Sequence, residues 1–199
     1  MEKRVDIIGG GLAGSEAALQ LAADGFAVRL IEMRPFRTTG AHHGDKCAEL
    51  VCSNSLKSTK EASAAGMLKA ELELLGSHLL AFAHESSVPA GGALAVDREQ
   101  FASLVTDALV QAGVARIEAE VVGIDPSGAF IIEDAHHEGP YVLEDPAPFC
   151  IIATGPLTSP ALAESLRALT GEDHLSFYDA AAPIVYADSL DYDVVFGQS

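Results

Sequence analysis

The stretch V-D-I-I-G-G-G-L-A-G, residues 5–14, decides the fold of this chain. A short apolar run leads into a glycine turn of the form G-x-G-x-x-G, and an alanine-rich run with helical spacing follows over residues 15–22. A second apolar run, residues 27–32, ends in an acid. This order predicts a strand, a tight turn, a helix and a second strand, which is the unit that binds dinucleotides in Rossmann-like folds.

Each glycine of the turn has a physical reason. Gly9 lets the chain leave the strand in a sharp turn, and Gly11, which has no Cβ, lets a pyrophosphate approach the backbone. Gly14 lets the helix pack close to the sheet. The phosphates then lie at a helix N-terminus, where free N–H groups and the positive end of the helix dipole favour an anion.

An acid at the end of the second strand narrows the choice of dinucleotide. Glu32 lies 18 residues after Gly14, close to the spacing at which a carboxylate accepts hydrogen bonds from an adenosine ribose. A carboxylate there repels a 2′-phosphate, which favours FAD or NAD over NADP. A glycine-rich turn without a ligand is the alternative, and the strand, helix and acid at their expected positions count against it.

Composition and charge limit the classes of function. The 199 residues are 49% hydrophobic and 21% charged, which is typical of a folded chain with one large or two small domains. The net charge of −17 argues against a broad nucleic-acid-binding face, because phosphate contacts need lysine and arginine.

No apolar run approaches the ~20 residues that span a bilayer, and no signal-peptide core is present, so we expect a cytoplasmic protein without a membrane partner. Three cysteines, an odd number without framework spacing, are expected to be reduced.

Helical patterns recur after the first unit. Apolar spacing predicts helices over residues 61–76, 97–113 and 159–171, and D-R-E-Q at 97–100 is typical of a capping box. The apolar side of the first of these helices consists of Met67, Leu68, Leu72 and Leu75. Residues 82–96 are mixed in character, with a short strand predicted over 93–96.

A run of strands fills the second half of the chain. Strands are predicted over residues 117–124, 129–132, 141–143, 149–152, 180–185 and 194–196. The first three, separated by turns, predict a three-stranded β-meander. The fourth predicts a fully buried parallel strand, with Cys150 in the core, that leads into A-T-G at residues 153–155.

Together, the glycine turn, the meander and the strand ending in A-T-G resemble the glutathione-reductase-like FAD domain. The resemblance implies an α/β, Rossmann-like fold in which the A-T-G turn approaches the cofactor from the other side and the first meander strand, at Val121 or Val122, faces the adenine. FAD is favoured over NAD because a plain NAD domain continues with further βα units. The residues predicted to bind the cofactor are Gly9, Gly10, Gly11, Leu12, Ala13, Gly14, Glu32, Met33, Arg34, Val122, Ala153, Thr154 and Gly155.

The same resemblance predicts two domains. Residues 1–157 are assigned to the FAD-binding domain, and residues 158–199 to the start of a second domain. Because the chain stops directly after a strand signal, we expect it to be part of a longer polypeptide.

A long stretch without periodicity, residues 34–60, carries five of the twelve lysines and arginines, and its cysteines, histidines and amides favour function. With four other segments it is similar to the TrmFO family, the folate- and FAD-dependent tRNA uracil-5-methyltransferases related to GidA. The segments are G-G-G-L-A-G-S-E-A at 9–17, A-H-H at 41–43, E-L-V-C-S-N-S-L-K-S at 49–58, A-L-A-V-D-R at 93–98 and I-A-T-G-P-L-T-S at 152–159. Members of this family are about twice as long as this chain.

The resemblance implies a reaction. NAD(P)H reduces the bound FAD, 5,10-methylenetetrahydrofolate supplies the carbon, and C5 of the T-loop uridine of tRNA is methylated to 5-methyluridine. Cys52 matches the family cysteine near the flavin, which adds to C6 of uracil or holds the methylene group, while a second family cysteine lies outside this chain. The implied partners are tRNA and folate, with a homodimer as a further prediction, and the acidity of this chain leaves the basic tRNA-binding surface to other parts of the enzyme.

The loop residues keep alternative roles. Arg34 and Arg37 are expected to meet the pyrophosphate or RNA, or else to be solvated. Ser53 and Asn54 orient the flavin or folate, or cap a helix that begins near residue 56. The histidines at 42–43 are expected to form loop hydrogen bonds, and no metal site is predicted because no carboxylate or cysteine lies at ligand spacing. Asp97 is expected to be a helix cap, and the lysines at 57 and 60 to be solvated.

Two other functions stay open. Cys47 and Cys52 form C-x-x-x-x-C, the spacing of a redox pair, which keeps a general FAD-dependent oxidoreductase as an alternative. Cys52 would serve as a nucleophile if a lysine or a helix N-terminus lowered its pKa, and it is otherwise a buried, inert thiol. A non-catalytic flavin-binding module is the remaining alternative.

Overall fold

The computed structural model describes residues 3–171, 191 and 194. The described residues form ten strands, five α-helices and one short 3₁₀ turn. In chain order these are β1 (Arg4–Ile8), α1 (Leu12–Ala23), β2 (Ala27–Glu32), β3 (Ser55–Ser58), α2 (Ala64–Leu74), α3 (His78–Glu85), β4 (Ser87–Val88), β5 (Ala93–Val96), α4 (Arg98–Gln111), β6 (Ala115–Glu118), β7 (Glu120–Ile124), β8 (Phe130–Glu133), β9 (Tyr141–Val142), β10 (Cys150–Ile152), the 3₁₀ turn (Gly155–Leu157) and α5 (Pro160–Thr170).

A four-stranded parallel sheet with the order β10-β1-β2-β6 holds the glycine turn. The carboxyl ends of parallel strands meet at one edge of a sheet, which is where ligands bind in open α/β folds. The residues directly after the four strands are Gly9, Met33, Ala119 and Ala153. The fold therefore brings the glycine turn and the A-T-G turn together, although they are far apart in the sequence.

Successive side chains of β1 and β2 point to opposite faces of this sheet and enter two cores. Ile7 and Leu30 pack with helices α1, α3 and α4 around Phe101. Ile8 and Ile31 pack on the other face with the meander and α5. The parallel sheet is therefore covered on both faces, as is typical of folds in which strands and helices alternate along the chain.

The three-stranded meander is confirmed as the antiparallel sheet β7-β8-β9. The single strand predicted over 117–124 is wrong, because it is two strands that break at Ala119. The N–H of Ala119 donates to the carbonyl of Glu32 at 3.1 Å, so β6 ends beside β2 and β7 begins the meander. No glycine or proline separates the two strands, so the sequence carries no signal for the break.

The helices differ from prediction in two places. The helix predicted over 61–76 is α2, which ends before Gly76. Of its predicted apolar side only Leu72 packs against the core, whereas Met67 is 58% and Leu68 55% exposed. Helix α3 was not predicted, and it is buried through Leu79 and Leu80. Periodicity shows which side chains share a side of a helix and not what packs against that side.

The strand before the A-T-G turn is parallel to β1 as predicted, but its full burial is wrong. Among the described strands β10 lies at the sheet edge, so Cys150 is exposed and Ile152 is 41% exposed. Helix α5 begins at its predicted cap, Ser159, and ends at Gly171, whose φ is +68°. The strands predicted over 180–185 and 194–196 fall on residues of which only Val194 is described, and the domain division after residue 157 stays a prediction.

Candidate functional site

Of the three glycines that define the G-x-G-x-x-G motif, two are tightly packed and one is open. Gly9 has a φ of +101°, and a Cβ on it would lie 2.8 Å from the carbonyl oxygen of Ala153. A Cβ on Gly14 would lie 1.9 Å from the carbonyl oxygen of Gly9, so only glycine lets α1 start so close to β1. A Cβ on Gly11 would meet no atom within 4 Å. The turn therefore leaves open space at the one glycine where a pyrophosphate is expected to approach.

Helix α1 begins at this turn without a side-chain cap. Gly11 is the N-cap residue, and no side chain accepts a hydrogen bond there. The first N–H groups of a helix have no partner within the helix, and the helix dipole places partial positive charge at that end. The start of α1 is thus suited to bind an anion.

A cleft at the carboxyl edge of the parallel sheet collects most of the predicted residues. Seven of them line it: Gly9, Gly11, Glu32, Met33, Arg34, Ala153 and Thr154. Residues 119–121, at the start of the meander, and residues 157–159 before α5 also line the cleft. Residues at the start of α1 and residues of the meander thus line one cleft.

The remaining predicted residues lie around this cleft. Gly10 belongs to the turn but does not line the cleft, and its carbonyl oxygen accepts a hydrogen bond from the N–H of Ala48 at 2.8 Å. Leu12 and Ala13 line a separate apolar groove beside α2 and α3. Val121 lines the cleft, whereas Val122 lines an adjoining cavity. Gly155 begins the 3₁₀ turn with a φ of +66°.

Glu32 is buried beside the turn with both carboxylate oxygens engaged. Its Oε2 accepts from the N–H of Gly10 at 2.6 Å, and its Oε1 accepts from Nε of Arg34 at 2.8 Å and from the Arg34 N–H at 3.1 Å. Burial alone would raise the pKa of Glu32, but the hydrogen bonds and charge of Arg34 together with the Gly10 N–H outweigh it, and the pKa is lowered. The carboxylate is therefore ionised at neutral pH, and its Oε2, which accepts one hydrogen bond, retains a lone pair for a further donor.

Arg34 is 1% exposed, so the predicted solvated role is wrong for this residue. Its guanidinium bridges two carboxylates: Nε bonds to Glu32, and Nη1 donates to Oε2 of Glu49 at 3.0 Å. Arg37, by contrast, is half exposed and pairs with Glu120 and with Glu133 of the meander. A contact of either arginine with a pyrophosphate stays a prediction.

Glu49 fastens the loop that carries the two histidines. Its Oε1 accepts from the His43 N–H at 2.8 Å, and its Oε2 accepts from the Gly44 N–H at 3.2 Å. His42 lines the cleft, with its Nδ1 2.7 Å from Oγ1 of Thr39. Burial, and secondarily the nearby charge of Arg34, lowers the pKa of His42, which keeps its imidazole neutral at pH 7. Sequence reasoning did not single out Glu49, because nothing in its spacing marks it.

The cysteines of the loop differ from each other in exposure. Cys52 is exposed on the turn before β3 and is not among the residues that line the cleft, so the prediction of a buried thiol is wrong. Cys47 is 1% exposed and packs against Gly10, and burial raises the pKa of its thiol. Both thiols are free, and neither lies on a helix. Among the lysines that could have activated Cys52, Lys46 pairs with Glu99.

The segment after Cys52 is a strand and not the start of a helix. The N–H of Val96 donates to the Asn54 carbonyl at 2.9 Å, and Nδ2 of Asn54 donates to the Val96 carbonyl at 3.1 Å. The alternative in which Ser53 or Asn54 caps a helix near residue 56 is therefore wrong. The short strand β3 escaped prediction because its partner, β5, is distant in the sequence.

The predicted capping box at 97–100 is half present. The carboxylate of Asp97 accepts from the Gln100 N–H at 2.9 Å, which confirms the cap. The N–H of Asp97 donates to the carbonyl of Ser86 instead of to the Gln100 side chain. Over residues 3–171, no cluster of three or more histidine, cysteine or acidic side chains could hold a metal ion, and no helix is long and apolar enough to cross a membrane.

Comparison with known families identifies the chain. The model of the family described as glucose inhibited division protein A matches residues 4–199. The chain belongs to this glucose inhibited division protein A family. The likeness to TrmFO proteins found in the sequence agrees with this membership, since those proteins are also the chain's named relatives.

Three curated relatives of this family member are named methylenetetrahydrofolate--tRNA-(uracil-5-)-methyltransferase TrmFO. The proteins of Bacillus licheniformis and Bacillus subtilis are each 53% identical to it over 199 residues, and that of Listeria innocua is 50% identical over the same length. Each alignment covers 100% of this chain and 41% of the relative. The chain thus spans about two fifths of the length of these proteins.

Solved structures share its fold. The crystal structure of Thermovibrio ammonificans THI4 superposes with a TM-score of 0.54 at 19% identity, over 86% of this chain and 63% of that one. A crystal structure of 2-methyl-3-hydroxypyridine-5-carboxylic acid oxygenase gives a TM-score of 0.52 at 21% identity, over 83% and 42%. With the parallel sheet, these likenesses confirm the predicted α/β, Rossmann-like fold class.

Proposed function

We propose that this chain is the FAD-binding part of a folate- and FAD-dependent tRNA (uracil-5-)-methyltransferase that uses NAD(P)H as reductant. The observation that carries the proposal is the uncapped start of α1, at Gly11, in one cleft with the buried carboxylate of Glu32. The relatives named TrmFO, about half identical over the whole chain, support the class of reaction. Because the chain spans 41% of their length, the activity is proposed for the full-length enzyme.

The residues of the cleft fit FAD. The pyrophosphate would lie against Gly11 and the first turn of α1, where a Cβ would meet no atom and helix N–H groups lack an intrahelical partner. The adenosine ribose would bond to Glu32, the adenine would lie beside Val121, and the A-T-G turn would close the other side. When bound, FAD supplies the redox chemistry and carries the one-carbon unit. The chain's own residues hold and orient it.

Cys52 is the proposed thiol of the reaction. Its exposure leaves it accessible to a second substrate, and it would add as a thiolate to C6 of uracil or hold the one-carbon unit beside the flavin. In the full-length enzyme, Cys52→Ser should abolish transfer of carbon to tRNA while FAD uptake is retained. Cys150→Ser, at another exposed cysteine, is the matched control and should leave both unchanged. Intact methylation by Cys52→Ser would remove Cys52 from the proposal.

The acidity of the chain limits its part in tRNA binding. At a net charge of −17 it cannot neutralise many phosphates, so the basic surface for the T-loop is proposed to lie in the rest of the enzyme or in a partner subunit. The folate site, a homodimer and a cytoplasmic location are parts of the same proposal. The slope of log Kd for tRNA against log salt concentration, measured on the full-length enzyme, would give the number of phosphate contacts it makes.

The cofactor is tested first by the visible absorption spectrum of the purified chain. We expect the bands of an oxidised flavin and the release of FAD, identified by mass, on denaturation. The full-length enzyme should then methylate T-loop tRNA only with methylenetetrahydrofolate and NAD(P)H. A full-length protein that takes up no added FAD would overturn the proposal, and NADH oxidation that needs neither tRNA nor folate would favour a general oxidoreductase instead.

A further inference from the structure

One buried arginine joins two carboxylates, of which one lines the cleft and the other lies in the loop outside it. Arg34 gives Nε to Glu32, at 2.8 Å, and Nη1 to Glu49, at 3.0 Å. The side chains of Arg34 and Glu32 are almost fully buried, and that of Glu49 is 16% exposed. An unpaired buried guanidinium is strongly destabilising. The position of the Arg34 side chain therefore depends on its ion pairs with both Glu32 and Glu49.

Glu49 also fixes the backbone of the loop. It accepts from the N–H groups of His43 and Gly44, so the same carboxylate that holds Arg34 holds the residues directly after His42, which lines the cleft. These are charge-assisted hydrogen bonds, the stronger class in proteins. Glu49 thus connects the segment after β2 with the histidine loop.

Because the Arg34 guanidinium bonds to both Glu32 and Glu49, it affects which oxygens of Glu32 are free to bind a ligand. With Glu49 in place, Arg34 bonds to Oε1 of Glu32 alone, and Oε2 faces the Gly10 N–H. Without the negative charge of Glu49 on Nη1, the guanidinium would be free to turn so that Nε and Nη2 take both oxygens of Glu32, a bidentate geometry that arginine favours with carboxylates. A carboxylate held in that way has fewer lone pairs left for a ribose and is turned from the glycine turn.

We propose that Glu49 is a positioning residue that, by sharing Arg34, sets the Glu32 carboxylate for the adenosine ribose of the cofactor. The inference rests on the proposed binding of FAD in this cleft. This role differs from a purely structural one, because it predicts that loss of Glu49 weakens the affinity for ligands that carry the ribose 2′-hydroxyl more than the affinity for ligands that lack it.

Nucleotide discrimination tests this inference. ADP and 2′-deoxy-ADP, used as competitors of FAD on the purified chain, differ in one hydroxyl that Glu32 would accept from. In the wild type we expect ADP to compete about tenfold better, the effect of one hydrogen bond to a charged group. Glu49→Gln should reduce this preference to about twofold and change the affinity for 2′-deoxy-ADP little. Glu61→Gln, at an exposed glutamate, is the control and should keep the wild-type preference.

A second variant separates positioning from folding. Arg34→Met together with Glu49→Gln removes the guanidinium that would capture Glu32, so the preference for ADP should return towards the wild-type value. Circular dichroism of both variants checks that each keeps the wild-type fold. An unchanged preference in Glu49→Gln, or equal loss of affinity for both nucleotides in both variants, would overturn the inference. A full-length wild-type protein that binds neither FAD nor ADP would overturn the proposed function as well.

Discussion

Helix α1 and the other four α-helices of the described chain begin in different ways. In α2, α3, α4 and α5 a side-chain oxygen accepts a hydrogen bond from a backbone N–H of the first turn, at distances from 2.9 to 3.4 Å. The capping residues are Ser63, Ser77, Asp97 and Ser159. At the start of α1 stands Gly11, which has no side chain to accept.

This difference between the helix starts indicates that the glycine at the start of α1 serves ligand binding and is not required by the fold. A cap contributes about 1 kcal/mol to a helix, and four of the helices have one. The fold does not prevent a side chain at Gly11, since its φ of −73° suits any residue and a Cβ there would meet no atom. We infer that the start of α1 is left uncapped for an anionic ligand, whose binding stabilises the folded state by mass action.

The largest expected effect comes from the glycine that the fold does require. In Gly14→Ala the new Cβ would lie 1.9 Å from the Gly9 carbonyl oxygen, which is backbone and cannot move aside cheaply. We expect a loss of about 3 kcal/mol, at the upper end of typical overpacking, and a fall in Tm of roughly 10 °C. Gly11→Ala, where no atom is near, should lose less than about 1 kcal/mol. Equal melting of the two variants would contradict the distinction between these glycines.

A second prediction concerns Glu32, a hydrogen-bond acceptor beside the uncapped start of α1. It accepts from the N–H of Gly10, one residue before the N-cap, and Glu32→Gln should destabilise the chain by about 2 kcal/mol at pH 7, the contribution of hydrogen bonds to a charged group. Thermal melts of both proteins between pH 3 and 7 would measure the effect.

The pH dependence follows from the lowered pKa of Glu32. Its stabilisation is fully present above the unfolded value of 4.5 and is lost as the pH falls through the lower folded value. The difference in stability between the wild type and Glu32→Gln should therefore shrink on acidification below pH 4.5. A difference that stays constant down to pH 3 would show that the carboxylate is not held as its contacts indicate.

Asp97 provides the matching test on a capped helix. Asp97→Ala removes the acceptor of the Gln100 N–H at the start of α4 and should lower the free energy of unfolding by about 1 kcal/mol. Uptake of FAD should not change, since Asp97 is not among the residues that line the cleft. The measurement is a urea titration beside a flavin titration. A loss of flavin affinity larger than the loss of stability would contradict the separation of the two kinds of helix start.

The parts of this molecule that local geometry dictates were predictable from the sequence. The positive φ of Gly9 and the close approach at Gly14 belong to the turn itself, and the cap at Asp97 needs only residues 97–100. The meander followed from alternation and turn residues. In each case the interacting groups are neighbours in the chain or repeat at a fixed period.

The parts that depend on distant partners were not predictable. Arg34 was expected to be solvated or to meet a ligand, yet it is buried because Glu49 reaches it through an irregular loop. The strand β3 exists because of its pairing with β5, nearly forty residues later. Cys150 is exposed because its strand lies at an edge, which depends on strand order and not on the apolar run that contains it.

The smallest expected effect on stability is also the sharpest test of the comparison. Gly11→Asn and Gly11→Asp both give α1 a side-chain cap of nearly the same size, and each should stabilise the folded chain by only a few tenths of a kcal/mol, with the charged cap slightly better. Their effects on FAD uptake should differ far more. Asp places a carboxylate where the pyrophosphate is proposed to lie and should abolish uptake, whereas Asn competes without repulsion and should only weaken it. Flavin titration beside thermal melting measures both quantities. Wild-type affinity for FAD in Gly11→Asp would mean that the anion of the cofactor does not lie at this helix start, and the difference between α1 and the capped helices would then need another explanation.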